Sequence, residues 1–179
     1  MKLPARLILV GFVAALLLSA VVVRTASAQT TLTNDQLQQI SNNCLAIKNT
    51  LNQLHASDAL LRVNRGQIYE AVGTKLMDKF NSRLSANGQD ATGTTLVAND
   101  YRNALNTFRN DYQLYERQLS DAIKIDCDKQ PADFYDAVES ARSKRAKLHT
   151  DVQSLHNYID DYRSAVSDFL INYERVTGN

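Results

Sequence analysis

Tryptophan is absent from the 179 residues, proline and cysteine occur twice each, glycine six times and histidine three times. Each shortage excludes something. So few helix breakers favour long helices, and no strand-like alternation of useful length appears. There is no Cys-x-x-Cys-His for covalent haem, no His-Glu-x-x-His, no Gly-x-Ser-x-Gly and no glycine-rich phosphate loop. Glu70, Glu116, Glu139 and Glu174 lack the Glu-x-x-His pairing that a di-iron bundle uses. His149 and His156 stand two helical turns apart, roughly 10 Å, too far to share one metal. No enzyme chemistry, metal or cofactor is therefore expected. Large charge of one sign is also missing. A formal net charge of +1 argues against a strongly basic nucleic-acid binder and against an acidic tail protein.

What is present first is an export signal. Lys2 and Arg6 precede an uncharged run from Leu7 to Val23, followed by Arg24, Thr25 and the small-x-small triplet Ala26-Ser27-Ala28. That order predicts a secretory signal peptide over residues 1–28, cut between Ala28 and Gln29. The alternative is an uncleaved membrane anchor, since the apolar run just reaches the lower limit for a span. Cleavage removes Lys2, Arg6 and Arg24 but no acid, so the charge passes from +1 to −2. Residues 29–179 then form one domain.

The rest reads as all-α. Thr33 with Gln36 three residues on fits a capping box. Leu37, Ile40, Cys44, Ile47, Leu51 and Leu54 then step by three and four, as in a coiled-coil seam. Asp58 interrupts that seam, Leu61 resumes it, and Arg65 interrupts it again. After Ile68 the spacing lengthens to Val72, Leu76, Phe80 and Leu84, until Asn87-Gly88 supplies a stop. The Gly88–Thr95 stretch is the clearest loop. A second stripe runs Val97, Tyr101, Leu105, Phe108, Tyr112, Tyr115, Leu119 and Ala122. Pro131 suits the first turn of a third helix. Its row, from Phe134 through Ala141, Leu148 and Leu155 to Val176, contains Arg145 as its one charge. The expectation is an elongated up-down-up three-helix coiled-coil-like bundle, with helices at about 33–87, 95–124 and 131–176. A first helix broken near Asn64-Arg65-Gly66 would give a four-helix bundle instead.

Export permits a disulfide between Cys44 and Cys127. That bond would set the connection before the third helix beside the first helix, so that the two rise in parallel. The same register puts Asp58 and Arg145 at one height and predicts a polar layer in the core, with Arg65 and Glu116 from neighbouring turns. A buried charge pair of this kind fixes alignment and adds little stability. A site for a small charged ligand is the sharper alternative. Arg142, Lys144, Arg145 and Lys147 read as a solvated helix face and not as a nucleic-acid site. Tyr69, Tyr135 and Tyr158 lie beside the apolar stripes, where an amphipathic ring suits either a partner surface or flank packing.

Arg62-Val63-Asn64-Arg65-Gly66-Gln67, Leu76-Met77-Asp78-Lys79-Phe80-Asn81 and Ile125-Asp126-Cys127 resemble stretches in uncharacterised exported helical proteins of very small, host-attached bacteria. The resemblance implies a bacterial envelope or exterior location and carries nothing about catalysis. Together these readings predict an exported structural or interaction protein, a scaffold, adaptor or adhesion-type module. Its location would be periplasmic, cell-surface or secreted. Its partner would be another envelope or surface protein, or a second copy. Nucleic acid is not expected, and membrane is expected only if the N-terminal segment stays. The alternative is an exported helical bundle that binds a small ligand.

Overall fold

Helix formation begins where Thr33 and Gln36 cap each other. The Thr33 hydroxyl accepts from the Gln36 N–H at 3.3 Å, and the Gln36 side chain accepts from the Thr33 N–H at 2.9 Å. In the computed structural model the described residues are 32–178. The expected signal segment, with Ala28 and Gln29 at its cut, lies outside the described residues. Among the described residues every regular element is helical: α1 (Asn34–Asn42), α2 (Cys44–Ala71), a π-helical turn (Val72–Met77), α3 (Asp78–Ala86), α4 (Thr92–Lys124) and α5 (Pro131–Thr177).

The first arm is continuous helix with two faults, and neither is at Asn64-Arg65-Gly66, which α2 crosses unbroken. One fault is Asn43, which leaves helical geometry with φ −105° and ψ 10° while its side-chain amide donates to the Gln39 carbonyl at 2.8 Å. An asparagine side chain that bonds the preceding turn competes with the backbone for that carbonyl. The other fault is the π turn. A wider turn brings a different column inward, so Gly73, Met77 and Asn81 are buried, while Leu76 is exposed and Val72 and Phe80 are half-buried. The expected column at that point is therefore displaced by one residue, although its steps of four are kept.

The π turn is tied at both ends by tyrosines of the other arms. Tyr101 of α4 donates its hydroxyl proton to the Tyr69 carbonyl at 2.8 Å. Tyr162 of α5 places its hydroxyl 2.8 Å from the Asn81 amide oxygen and 3.2 Å from the Met77 carbonyl. Such turns leave carbonyls without their usual helical partner, and a buried orphan carbonyl is costly. Gly73 is needed for close approach: a Cβ there would sit 3.3 Å from the Tyr101 ring.

The first arm stops as the sequence indicates. Gly88 takes φ 67°, its N–H bonds the Ser85 carbonyl, and the Gln89 N–H bonds the Leu84 carbonyl. This is the paired closure of a Schellman motif. α4 then starts at Thr92, earlier than expected at 95; its N-cap Ala91 has no capping side chain, and the Asp90 carboxylate before it accepts from the Thr92 N–H at 2.9 Å. Gly93 thus lies inside the helix.

Long α4 and α5 pack side by side with numbering that runs in opposite directions. Gln118 bonds the Ala137 carbonyl, and Asp111 pairs with Lys147. Between the first arm and α4 the partner numbers also run oppositely, as Asp58 meets Tyr115, Glu70 meets Arg109 and Asp78 meets Arg102. Between the first arm and the chain from Asp128 into α5, partner numbers increase together. Ser41 meets Asp128, Asp58 meets Arg145 and Tyr69 meets His156, each pair 87 residues apart. Beyond the start of the π turn the offset falls to 85 and 81, where Tyr162 meets Met77 and Asn81. Cys44 and Cys127 close the base with Cα atoms 5.5 Å apart.

The core is strongest between α4 and α5. Along α5 the buried residues are Phe134, Ala141, Leu148, Leu155 and Tyr162, one every seven. The second column of the expected seam, Val138, Val152, Ile159 and Val166, is only half-buried. Arg145 belongs to that second column, which explains why a charge is tolerated there. Beyond Val166 the helix leaves the core, and Leu170, Ile171, Tyr173 and Val176 are exposed.

Candidate functional site

Between Asp58 and Tyr69 the inward column of α2 has no buried apolar side chain. Leu61 is exposed, and Arg65, where the seam calls for an apolar residue, is exposed too. The opposing helices supply large buried side chains, which α2 meets with the polar Asp58 and Arg62 and with Tyr69. The result is a cleft of about 290 Å³ at the junction of α2, α4 and α5. Its floor and walls are Tyr69, Phe108, Tyr112, Tyr115, Leu148 and Val152, and its polar groups are Asp58, Arg62, Arg65, Arg145 and His149.

Asp58 and Arg145 meet at one end of the cleft, at the common height expected of them. Arg145 donates from Nε to Oδ2 at 2.9 Å and from Nη2 to Oδ1 at 3.2 Å, and Tyr115 donates to Oδ2 at 2.6 Å. The Asp58 side chain is 12% exposed and that of Arg145 is 52% exposed. The layer therefore sits on the rim of the core and not within it. Burial pushes the Asp58 carboxyl up, but hydrogen bonds from Arg145 and Tyr115, with the Arg145 charge, outweigh it and hold the group below its ordinary range. Burial and then the hydrogen bond to Asp58 push the Tyr115 hydroxyl well above its ordinary range. Tyr115 therefore donates and does not ionise. The Nε2 atom of nearby His55 is buried without a partner among the described residues.

The other two expected members of the layer part company. Arg65 lines the cleft one level above Asp58. Glu116, half-buried on α4, makes no hydrogen bond or ion pair to Asp58, Arg65 or Arg145. Its place is taken by Tyr115, which the sequence reading put only in the core. A signal for it existed: a tyrosine on a buried stripe needs an acceptor for its hydroxyl, and Asp58 is a buried acceptor in search of donors. Arg62 was also missed. Its guanidinium lies 5.1 Å from the centre of the Tyr112 ring, a cation–π distance.

The tyrosine surface is corrected in part. Tyr69 is 5% exposed, packs edge-on against Phe108 at 5.9 Å and places its hydroxyl 3.2 Å from His156 Nε2. It is a core residue: eleven residues on from Asp58 in the same unbroken helix, it falls on nearly the same inward face. Tyr135 and Tyr158 are half-buried, and Tyr158 packs against the core.

A second polar group was not expected. Lys147 pairs with Asp111 and lies 3.9 Å from Asp151 Oδ1, while Asp151 Oδ2 is buried with no partner. Burial raises the Asp151 carboxyl above its ordinary range, Lys147 opposes this, and the like charge of Asp111 adds to it. In the basic run Arg142 pairs with Glu139, Arg145 with Asp58 and Lys147 with Asp111, so three of its four charges are matched by carboxylates.

Among the described residues no group of three or more His, Cys, Asp or Glu side chains is placed to hold a metal ion. Among them too, no helix is long and apolar enough to cross a membrane. No protein-family model, curated protein or solved structure matches this chain.

Proposed function

We propose that the chain is an exported structural or interaction protein that presents its first helical arm to another protein at the cell envelope or exterior. In this reading the three arms form an up-down-up coiled-coil-like bundle. The 87-residue offset shared by the pairs at Ser41, Asp58 and Tyr69 and the opposite run of partner numbers on α4 support it. The disulfide supports export, since such bonds persist in oxidising compartments. The resemblance to exported helical proteins of small host-attached bacteria points to the same location.

The observation that carries the reading is apolar exposure on α2 and the turn beyond it. Leu45, Leu60, Leu61, Val63, Ile68 and Leu76 all stand open to solvent. Scattered apolar residues are ordinary on a surface, but α2 concentrates them from Leu60 to Ile68. Cross-linking of the full chain in its native envelope, followed by mass spectrometry, tests the reading. Cross-links from α2 to one envelope or surface protein, or to a second copy, are expected. They should be lost in Leu60→Glu with Val63→Glu. Recovery of monomer alone would refute it. The intact mass under non-reducing conditions reports the cut between Ala28 and Gln29 and the disulfide together.

A second reading, a bundle that binds a small ligand, is favoured by one specific observation. The cleft places converging polar groups over an apolar floor at a layer where the core is left unfilled.

A further inference from the structure

We propose that the cleft between α2, α4 and α5 takes a small organic anion with an apolar, ring-sized body, its acidic group held by Arg62 and Arg65. The proposal rests on the ligand-binding reading and names the class of ligand.

Charge decides the sign. Three guanidinium groups and one carboxylate line the cleft. The carboxylate, Asp58, already accepts two hydrogen bonds from Arg145 and one from Tyr115, so it neutralises Arg145 and has three of its about four acceptor sites occupied. The ion pairs among the described residues leave Arg62 and Arg65 without a carboxylate partner. A cation would meet two unbalanced positive charges, and an anion would satisfy them.

Geometry decides the donors. Arg62 and Arg65 are three residues apart on α2, and such pairs are neighbours on a helix face. The Arg62 guanidinium is steadied against the Tyr112 ring. Its planar donors suit the two oxygens of a carboxylate. The body of the ligand follows from the floor. Phe108, Tyr112 and Leu148 are buried and Val152 is half-buried, so the apolar lining is the residual surface of core side chains, which an inorganic anion would leave uncovered. A volume of about 290 Å³ is at the small end for ligand sites, which matches one or two fused rings with a single acidic group.

Titration calorimetry on the full disulfide-bonded chain, with three probes of one shape, tests this. The probes are 2-naphthoate, 2-naphthalenemethanol and 2-naphthylmethylammonium. Naphthoate is expected to bind at least about tenfold more tightly than the alcohol, and the ammonium most weakly. In Arg62→Gln with Arg65→Gln, the preference for naphthoate should vanish while alcohol binding stays. Val152→Trp, which fills the floor, should weaken naphthoate and alcohol alike. Circular dichroism confirms that each variant is folded. If alcohol or ammonium binds as well as naphthoate, or the double variant keeps the preference, the anion assignment falls and the ligand-binding reading stands. If no probe binds, both fall.

Discussion

Replacing Arg145 by leucine removes two of the three hydrogen bonds that Asp58 accepts and leaves a largely buried carboxylate with Tyr115 alone. The size of the effect follows from exposure. Measured couplings of exposed ion pairs run about 0.2–1 kcal/mol, and stripping the partner from a buried charge costs about 3–5 kcal/mol. With Asp58 at 12% and Arg145 at 52% exposure, this pair falls between. A loss of about 2 kcal/mol is expected for Arg145→Leu. Asp58→Leu returns Arg145 to water and orphans the Tyr115 hydroxyl, on a residue only 2% exposed, again at about 2 kcal/mol. In the double variant only the Tyr115 hydroxyl remains unsatisfied, so its cost is also about 2 kcal/mol and the coupling between the two sites is about 2 kcal/mol. Adding Tyr115→Phe should bring stability back to that of the parent chain or above it.

Urea unfolding followed by circular dichroism at 222 nm provides the four stabilities, with an unchanged slope required for the comparison. If Arg145→Leu costs under about 0.5 kcal/mol and the two single changes simply add, the layer is a solvated surface pair and the reasoning fails. The pH dependence is a second check with its own sign. The folded-state pKa of Asp58 lies below its unfolded value. Its contribution is therefore present above the unfolded pKa, near pH 4, and lost as pH falls through the folded value. The difference between the parent chain and Asp58→Leu should shrink over that window and stay flat from pH 5 to 7.

Three further changes probe other parts. Cys44→Ser with Cys127→Ser should lower stability by about 2–4 kcal/mol, read from urea midpoints of oxidised and variant chains. Tyr101→Phe removes the donor to the Tyr69 carbonyl and should cost about 1–2 kcal/mol, with earlier amide hydrogen exchange from Val72 to Met77 and little change in α5. Asp151→Asn removes a largely buried carboxylate whose Oδ2 has no partner among the described residues and whose folded pKa is raised, a group that favours the fold below its unfolded pKa and loses that contribution as pH rises through the folded value. The variant should therefore gain about 1 kcal/mol at pH 7 and little at pH 4, and a gain independent of pH would contradict this.

The sequence was most legible where one residue type settles a local question. The Thr33–Gln36 cap, the Gly88 stop and Pro131 in the first turn of α5 each depend on a few neighbouring atoms. The α4 stripe also reads cleanly, because Tyr101, Leu105, Phe108, Tyr112, Tyr115 and Leu119 are apolar at every inward step. Asp58 and Arg145 were paired by counting residues from the disulfide and Pro131. That works because two straight helices in parallel keep a fixed rise per residue.

The remainder depends on what faces a residue, which periodicity does not contain. Steps of four from Ile68 onward exceed the 3.6-residue turn, which reads only as a longer spacing and does not say which column faces inward. That choice was made by Gly73, which alone lets the Tyr101 ring close on the backbone, and by the tyrosine hydroxyls that reach the Tyr69 and Met77 carbonyls. With Tyr69 inward, α2 has no apolar side chain to offer at the level of Arg65, and α4 and α5 face that gap with rings and aliphatic chains. The same charge that interrupts the seam on paper therefore opens the cleft in three dimensions. Filling that level from α2 makes the case decisive. Arg65→Leu should close the cleft against Phe108 and Leu148 and stabilise the fold by about 1 kcal/mol, while abolishing binding of any ring-sized anion. If stability rises and the α2 cross-links survive, the interaction reading stands without the cleft. If both the cross-links and anion binding are lost, the arginine and the open layer serve recognition, and the stability forgone at this level is the cost of that role.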